Sequence, residues 1–370
     1  MKLSAITKRN IIRVIPFGII WLVFGCLFLW IEYAAIGDQT NTPESAIKIE
    51  LNILFFALTG ITIIGLIVGF IELKFLSKLF EKKAFLVKIS SKFIIYIAFF
   101  LLVILLTYPL AASIELDTSI LNKKVWDKYF TFFFSITNLS SMVQLSFSLF
   151  VSLLYAEISE NLGQNVLLNF FTGKYHKPVS ETRIFMFADM KSSTSIAESL
   201  GHIKYFEFLR SYYFDLSEAI LKNYGEVYQY IGDEIVISWT LKKGIRENSC
   251  IKCFFNMKSD LFKRKNYYMK EYGFFPDFKA ALHFGEVTTG EIGALKKEIF
   301  FTGDVLNTTA RIQAMCTELG EDLLISESLT RLLNLKSDFH LKPLGIKKMK
   351  GKSMNIEVLS VNEIKENEVL

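Results

Sequence analysis

Acidic residues in this sequence end or interrupt apolar runs, where carboxylates are costly to bury without a partner. Asp233 and Glu234 lie at the centre of the β-branched and aromatic stretch Val227–Trp239, in which a Gly-Asp pair predicts a hairpin. Asp189 ends an upstream apolar run that is typical of a strand. Hard divalent cations prefer carboxylate oxygens. We therefore interpret Asp189 and Asp233 as candidate metal ligands and Glu234 as a structural residue.

A simpler interpretation exists for each acid alone: Asp189 as a strand-end cap and Asp233 as an ordinary turn acid. A further polar pair, Asn307 and Arg311, favours a common functional site over two unrelated structural acids. The two residues are four apart in a segment that is expected to be helical, Asp304–Thr317, so their side chains lie on one face.

The elements around these residues are predicted to form an α+β sandwich of ferredoxin-like type, because strands and helices alternate from Glu181 onwards. Besides the strand before Asp189 and the hairpin, the expected elements are helices Ser195–Tyr224, Ile245–Tyr272 and Asp304–Thr317, and strands Phe278–Phe284, Glu286–Ile292 and Glu298–Thr302.

Composition predicts that membrane segments precede this domain. Of 370 residues, 51% are hydrophobic, and the mean hydropathy is +0.34, which is too apolar for one soluble domain. Runs without charged residues that reach the roughly 20 residues needed for a membrane span are Val14–Ile31, Leu51–Ile71, Phe93–Ile114 and Tyr129–Ala156. The sequence therefore predicts an α-helical four-span transmembrane bundle.

Charge sets the expected orientation. The N-terminus is basic and the second loop, Glu72–Lys92, is rich in lysine, which places both in the cytoplasm by the positive-inside rule. We expect a multi-pass protein of the cell (inner) membrane with its C-terminal domain in the cytoplasm. The net charge of +5 is modest and is explained by these flanks, so no nucleic-acid partner is expected. The four scattered cysteines predict no disulfide framework.

The fourth span is polar, with Asn138, Gln144 and several serines. We interpret these residues as contacts between helices, and a sensing span is the alternative. The expected domains are residues 1–156 in the membrane, a helical linker at 157–180, and residues 181–370 as the soluble domain.

Three linked motifs carry a resemblance to a known family. Phe187–Thr194, Tyr230–Glu234 and Gly303–Arg311 together resemble the class III adenylyl/guanylyl cyclases of the membrane-anchored bacterial type, in the family's order and spacing from about Glu181 to Val361. The resemblance implies an adenylate cyclase, a phosphorus-oxygen lyase that converts ATP to 3′,5′-cyclic AMP and pyrophosphate.

The resemblance also implies roles for residues. Asp189 and Asp233, with the backbone carbonyl of Phe187 or Met190, would hold two Mg²⁺ or Mn²⁺ ions per active site. Asn307 would orient the ribose and Arg311 would stabilise charge on the α-phosphate. Candidate contacts to the triphosphate are the start of a helix at Lys191, Ser192, Ser193 and Thr194, and the lysines Lys296 and Lys350. Because the family builds each site from two protomers, a homodimer with shared sites is implied.

The sequence departs from the family at the positions that select adenine, which are Gln229 and Phe300 here. Phe300 cannot hydrogen-bond to a purine edge, although it can stack on one. ATP is the expected substrate on the family's general preference, and GTP is the alternative. A different hypothesis is a membrane receptor whose domain binds a nucleotide without converting it.

Overall fold

The computed structural model describes residues 5–36, 51–80, 83–116, 118–162, 169, 172–295, 297–335, 338–348 and 355–364. Apart from the first six residues, the chain divides into two compact units, residues 7–168 and 169–370. The domain boundaries expected at 156/157 and 180/181 stay predictions. Each unit is described by itself.

The unit of residues 7–168 consists of helices. They are α1 (Ala5–Ile36), α2 (Leu51–Ile71), α3 (Phe85–Glu115), α4 (Lys123–Phe133) and α5 (Ile136–Leu162), and α2 continues through a π-helical segment, Glu72–Leu76, and a last turn, Ser77–Leu79. Among the described residues, four segments are long and apolar enough to cross a membrane: Asn10–Ile31, Ala57–Leu76, Phe85–Leu106 and Ile136–Glu160. The prediction of four apolar helices of span length is confirmed, and their insertion in a membrane stays a prediction.

Two details differ from the sequence prediction. The fourth span does not begin at Tyr129, which belongs to α4; it begins at Ile136, where Ser135 Oγ accepts a hydrogen bond from the backbone N–H of Asn138 at 3.1 Å, as a cap does. The second loop is shorter than expected, because α3 begins at Phe85 and includes Lys92.

Helix contacts in this unit use both small and polar residues. A Cβ atom on Gly65 would lie 2.6 Å from the Trp21 ring, so this glycine allows α1 and α2 to approach closely. Trp21 donates from Nε1 to Ser152 Oγ at 2.9 Å, which joins α1 to α5. This bond favours the interpretation of the polar fourth span as a source of contacts between helices.

The second unit is built on one mixed sheet, which confirms the predicted α+β class. Its strands are β1 (Val179–Met190), β2 (Glu226–Ile231), β3 (Glu234–Thr240), β4 (Phe278–Ile292), β5 (Glu298–Thr302), β6 (Leu323–Ser326), β7 (Phe339–Lys348) and β8 (Asn355–Glu363). The order is β2-β3-β1-β4-β6-β8-β7, with β5 paired to β4; β4 and β6 are parallel and the other pairs are antiparallel. Its helices are α6 (Ser193–Leu200), α7 (His202–Lys222), α8 (Leu241–Ile245), α9 (Ser249–Lys263), α10 (Lys265–Tyr272), α11 (Asp304–Leu319) and α12 (Glu327–Thr330).

Alternation along β1 assigns the residues to the two faces of the sheet. Ile184 and Met186 join the large core that includes buried residues of α7 and α9. Phe185 and Phe187 point to the opposite face, where they pack with residues of β3, β4, β5 and α11. Asp189 continues this second series, so it lies on the face that α11 covers.

The sequence prediction placed the elements correctly but misjudged where some of them are interrupted. The helix expected over Ser195–Tyr224 is two helices, because Gly201 adopts a φ of +72° between them. The helix expected over Ile245–Tyr272 is also broken, at a turn where Asn248 has a φ of +57° and again at Arg264. The two strands expected between residues 278 and 292 are one continuous strand, β4, because Gly285 remains paired with Arg183.

Candidate active site

The end of β1 and the β2–β3 turn bring the predicted acids together. Asp189 is the register partner of Glu234 across β1 and β3, and Asp233 is the preceding residue in the turn. The turn is held by Tyr213 on α7, whose hydroxyl donates to the carbonyl oxygen of Gly232 at 2.8 Å. The hairpin and strand predicted from the sequence therefore position three carboxylates in one place.

These carboxylates disturb one another. Burial and then the charge of Asp233 raise the pKa of Asp189, although Gln313 and Lys279 act in the opposite direction. Burial and then the charges of Asp189 and Asp233 raise the pKa of Glu234 to about 7. Crowded negative charge of this kind is relieved by a bound cation.

The donor set fits a hard divalent cation. In the part of the chain that the structure describes, no group of three or more His, Cys, Asp or Glu side chains has metal-binding geometry. Mg²⁺ does not need such a group, because it is usually bound by one or two carboxylates, substrate phosphates and water. Asp189 and Asp233 supply the two carboxylates, and their role as ligands stays a prediction.

Asp189 has two partners in its own chain that sequence reasoning missed. Gln313 on α11 donates from Nε2 to Asp189 Oδ2 at 3.2 Å, and Lys279 Nζ on β4 lies 3.4 Å from the same oxygen. A signal for each was present. Gln313 is an amide in the buried stripe of its helix, between Thr309 and Cys316. Lys279 interrupts an apolar strand on the face that carries Asp189.

The turn after β1 is fixed by ion pairs. The backbone N–H of Lys191 donates to the carbonyl of Asp277 at 2.8 Å, and its Nζ binds Asp277 Oδ2 at 2.7 Å and also the carboxylate of Asp322. Lys258 binds the same two acids. These bonds use the backbone N–H of Lys191 and two of the three N–H donors of its ammonium group, so they do not favour the predicted contact of this residue with phosphate.

The next residues of this turn are better placed for a phosphate. Ser192 is exposed, has a φ of +57°, and immediately precedes α6. Ser193 and Thr194 begin that helix, and the first N–H groups of a helix have no partner within it. Their predicted contact with the triphosphate stays a prediction that this arrangement favours.

Asn307 and Arg311 lie on α11, as predicted. Asn307 is exposed. Arg311 is partly buried, and within the described residues its buried Nη1 atom has no hydrogen-bond partner. Among those residues, no hydrogen bond or ion pair joins either of them to Asp189 or Asp233. Within the described part of one chain, the acids and the amide–guanidinium pair are therefore not joined by a direct hydrogen bond or ion pair.

The positions that would read the base are open to solvent. Gln229 on β2 is exposed, and the Phe300 side chain on β5 is 45% exposed. The candidate triphosphate contacts Lys296 and Lys350 lie outside the described residues, so their assignment stays a prediction.

Residues 175–362, about half of the chain, match the family described as the adenylate and guanylate cyclase catalytic domain. This range contains all three motifs noted in the sequence. The chain belongs to this family. The resemblance stated from the sequence is thereby confirmed.

Relatives in this cyclase family include Adenylate cyclase 2 of Rhizobium meliloti (strain 1021), which is 35% identical over 204 residues, covering 55% of this chain and 56% of the relative. The adenylate cyclase of Anabaena cylindrica is 26% identical over 189 residues, covering 49% of this chain and 36% of the relative. The matches thus span about half or less of these relatives. A solved structure of a bacterial light-regulated adenylyl cyclase shares the fold, with a TM-score of 0.50, 20% identity and coverage of 61% of this chain and 64% of that one.

Proposed function

We propose that this chain is a membrane-anchored adenylate cyclase that converts ATP to 3′,5′-cyclic AMP and pyrophosphate at sites shared by a homodimer. The observation that carries the proposal is the convergence of Asp189 with the Asp233 turn in a domain that also carries Asn307 and Arg311. The 35% identity to an adenylate cyclase supports ATP as the substrate.

In this reaction the ribose 3′-hydroxyl gives up its proton to water and its oxygen bonds to the α-phosphorus. The bond from that phosphorus to the bridging oxygen breaks, and pyrophosphate leaves with the electron pair. Asp189 and Asp233, with the backbone carbonyl of Phe187 or Met190, would hold two Mg²⁺ or Mn²⁺ ions. Such ions, when bound, lower the pKa of the attacking hydroxyl and neutralise charge on the triphosphate.

The remaining work is done by hydrogen-bond donors of the chain. The N–H groups at the start of α6, from Ser192 to Thr194, hold phosphate oxygens. Asn307 orients the ribose, and Arg311 stabilises charge on the α-phosphate through its fixed fork of donors. The Nη1 atom of Arg311 makes no hydrogen bond among the described residues, so this donor is unused within its own chain.

A homodimer is proposed because one described chain does not join its own two halves of the site. The acids of one subunit would face Asn307 and Arg311 of a second copy, and twofold symmetry would create two such sites. The four candidate spans and the lysines that flank them support a multi-pass membrane protein with this unit in the cytoplasm.

A second candidate function is supported by Gln229 and Phe300, which depart from the pattern of adenine selection: a membrane receptor that binds nucleotide without turnover. GTP as the substrate is the other alternative. The test uses the full chain, purified in detergent, with Mn²⁺ and either ATP or GTP.

We expect cyclic AMP from ATP at a higher rate than cyclic GMP from GTP. Asp233→Ala should lower turnover by about 100-fold or more without dissociating the dimer. The control Glu363→Ala, at an exposed position, should leave turnover unchanged. Nucleotide binding without product from either substrate would favour the silent receptor. A higher rate with GTP than with ATP would show that GTP is the substrate, and the protein would still be a nucleotidyl cyclase.

A further inference from the structure

The described residues that contact the Asp189 carboxylate do so at one of its two oxygens. Gln313 Nε2 donates to Oδ2 at 3.2 Å, and Lys279 Nζ lies 3.4 Å from the same atom. Lys279 is fixed in turn by Thr317, whose Oγ1 accepts from Nζ at 2.6 Å. Among the described residues, no group donates to Oδ1. The carboxylate is thus oriented by the chain and keeps one oxygen available for a ligand.

The amide of Gln313 is more than a space-filling group. Gln313 is 7% exposed and lies among the buried residues of α11. Burying an amide is unfavourable unless its donors are used, and an apolar side chain would fill this position without that penalty. Lys279 supplies positive charge beside a carboxylate that Asp233 already repels. Gln313 and Lys279 therefore act on the same atom, Asp189 Oδ2: Gln313 orients it through a hydrogen bond, and Lys279 supplies the opposite charge.

We propose that Gln313 is a positioning residue of the metal site, which orients Asp189 of its own subunit while Lys279 supplies the counter-charge. The inference rests on the proposed function. Carboxylates that bind metals are commonly oriented by such hydrogen bonds, and loss of the bond typically costs about 10- to 100-fold in metal affinity or activity.

The position of Gln313 on α11 gives this helix a role in both sites of the dimer. Arg311 and Gln313 are two residues apart, which separates their side chains by about 200° around the helix axis. Gln313 faces the sheet and its own Asp189, whereas Arg311 is proposed to act at the site of the second subunit. One helix therefore orients a metal ligand in one site and supplies the guanidinium to the other.

Metal binding tests the orientation of Asp189 without requiring turnover. The probe is Mn²⁺, titrated into the full chain with a non-reactive ATP analogue and followed by the electron paramagnetic resonance signal of free Mn²⁺. Gln313→Met keeps the length of the side chain and removes the donor. Its affinity for Mn²⁺ should fall by about 10-fold, whereas Glu318→Met, at an exposed position of the same helix, should leave it unchanged.

Unchanged affinity in Gln313→Met would overturn the inference and leave the proposed function standing. Absence of Mn²⁺ binding by the unsubstituted chain would contradict the proposed function itself, and the inference with it.

Mixed dimers distinguish positioning of Asp189 from a general effect on α11. A dimer of one Arg311→Ala chain and one Asp189→Ala chain has a single intact site, which takes its acids from the first chain and its guanidinium from the second. Gln313→Met is then added to either chain. On the Arg311→Ala chain it should lower turnover by about 10-fold, because it disturbs the only functional Asp189. On the Asp189→Ala chain the contact is already absent, so turnover should change by less than about twofold.

The opposite pattern would overturn the inference, because a loss confined to the Asp189→Ala chain would mean that Gln313 positions Arg311. An equal loss in both placements would also overturn it, because it would show that Gln313 supports folding of the whole domain. If the mixed dimer of Arg311→Ala and Asp189→Ala chains is inactive while Gln313 is unsubstituted, that result would contradict the shared sites of the proposed function.

Discussion

The hydroxyl of Tyr228 accepts a hydrogen bond from the backbone N–H of Phe301 at 3.3 Å, and the centroids of the two rings lie 4.7 Å apart. The contact joins β2 to β5, two strands that are not paired with each other. The residues next to these two, Gln229 and Phe300, are the candidate base contacts. This partly buried contact thus brings close together two positions that are 71 residues apart in the sequence.

Removal of the Phe300 ring should weaken nucleotide binding without changing which nucleotide is preferred. Stacking of a base on an aromatic ring contributes about 1–3 kcal/mol and tolerates any base. Phe300→Ala should therefore raise the KM for ATP and GTP by a similar factor of about 10. Steady-state kinetics of the full chain measure this, with Phe262→Ala, whose side chain is 65% exposed on α9, as the control. A KM that changes for only one nucleotide would show that Phe300 discriminates between bases.

Acid should destabilise the β1–β3 region through Glu226. Burial alone would raise the pKa of Glu226, but the charges of Arg183 and Lys243 outweigh burial and lower this pKa. Arg183 is 2% exposed, and its Nη2 binds Glu226 Oε2 at 2.7 Å. A carboxyl with a lowered pKa in the folded state contributes stability above its unfolded pKa, and this contribution is lost as the pH falls through the folded value.

The matched variant is Glu226→Gln, which should cost about 2 kcal/mol at pH 7, because it leaves a buried guanidinium without this charge. The difference from the unsubstituted chain should begin to shrink as the pH falls below about 4.5, the usual value for a glutamate. It should vanish below the lowered pKa of folded Glu226, where both side chains are neutral. Hydrogen exchange of peptides from Glu226–Thr240 in the full chain, corrected for the intrinsic effect of pH, measures the free energy of opening. A difference that stays constant with pH would show that the ion pair does not carry this stability.

The unit of residues 7–168 contains a buried ion pair between Lys92 on α3 and Glu72 at the end of α2, whose side chains are 4% and 1% exposed. Removing one partner leaves an uncompensated charge, which typically costs about 3–5 kcal/mol, whereas replacing both can be nearly neutral. Lys92→Met should therefore be strongly destabilising, and adding Glu72→Leu should recover most of the loss. Unfolding of the full chain in detergent measures both, with the exposed Lys124→Met as the control. A double variant that loses the sum of the two single effects would show that the pair is not coupled.

The sequence predicted the features that depend on local pattern. The paired acids, the helical spacing of Asn307 and Arg311, the hairpin and the apolar spans all follow from periodicity and turn residues. The breaks at Gly201 and Asn248 depend on positive φ values, which a helical pattern does not reveal. The continuity of β4 through Gly285 depends on pairing with β1, a strand about 100 residues away.

The contacts around the acids were beyond sequence reasoning for a similar reason. Gln313 reaches Asp189 across 124 residues of sequence, and Lys191 reaches Asp322 across 131. A polar residue in a buried stripe signals that some partner exists, but only the folded chain shows which one. For Lys191, only the folded chain shows that its ammonium pairs with Asp277 and Asp322, and its contact with phosphate stays a prediction.

Complementation between two inactive chains tests whether each active site takes its acids from one subunit and its guanidinium from the other. Asp189→Ala and Arg311→Ala should each lower turnover by about 100-fold or more. If the two chains are co-expressed in equal amounts, half of the dimers should be mixed. Each mixed dimer should have one intact site of two, so about a quarter of the activity of the unsubstituted protein should be restored. Recovery of cyclic AMP synthesis from ATP to about this level is the expected result. No recovery, with mixed dimers demonstrated by differential tags, would contradict a site built from the acids of one subunit and the guanidinium of the other.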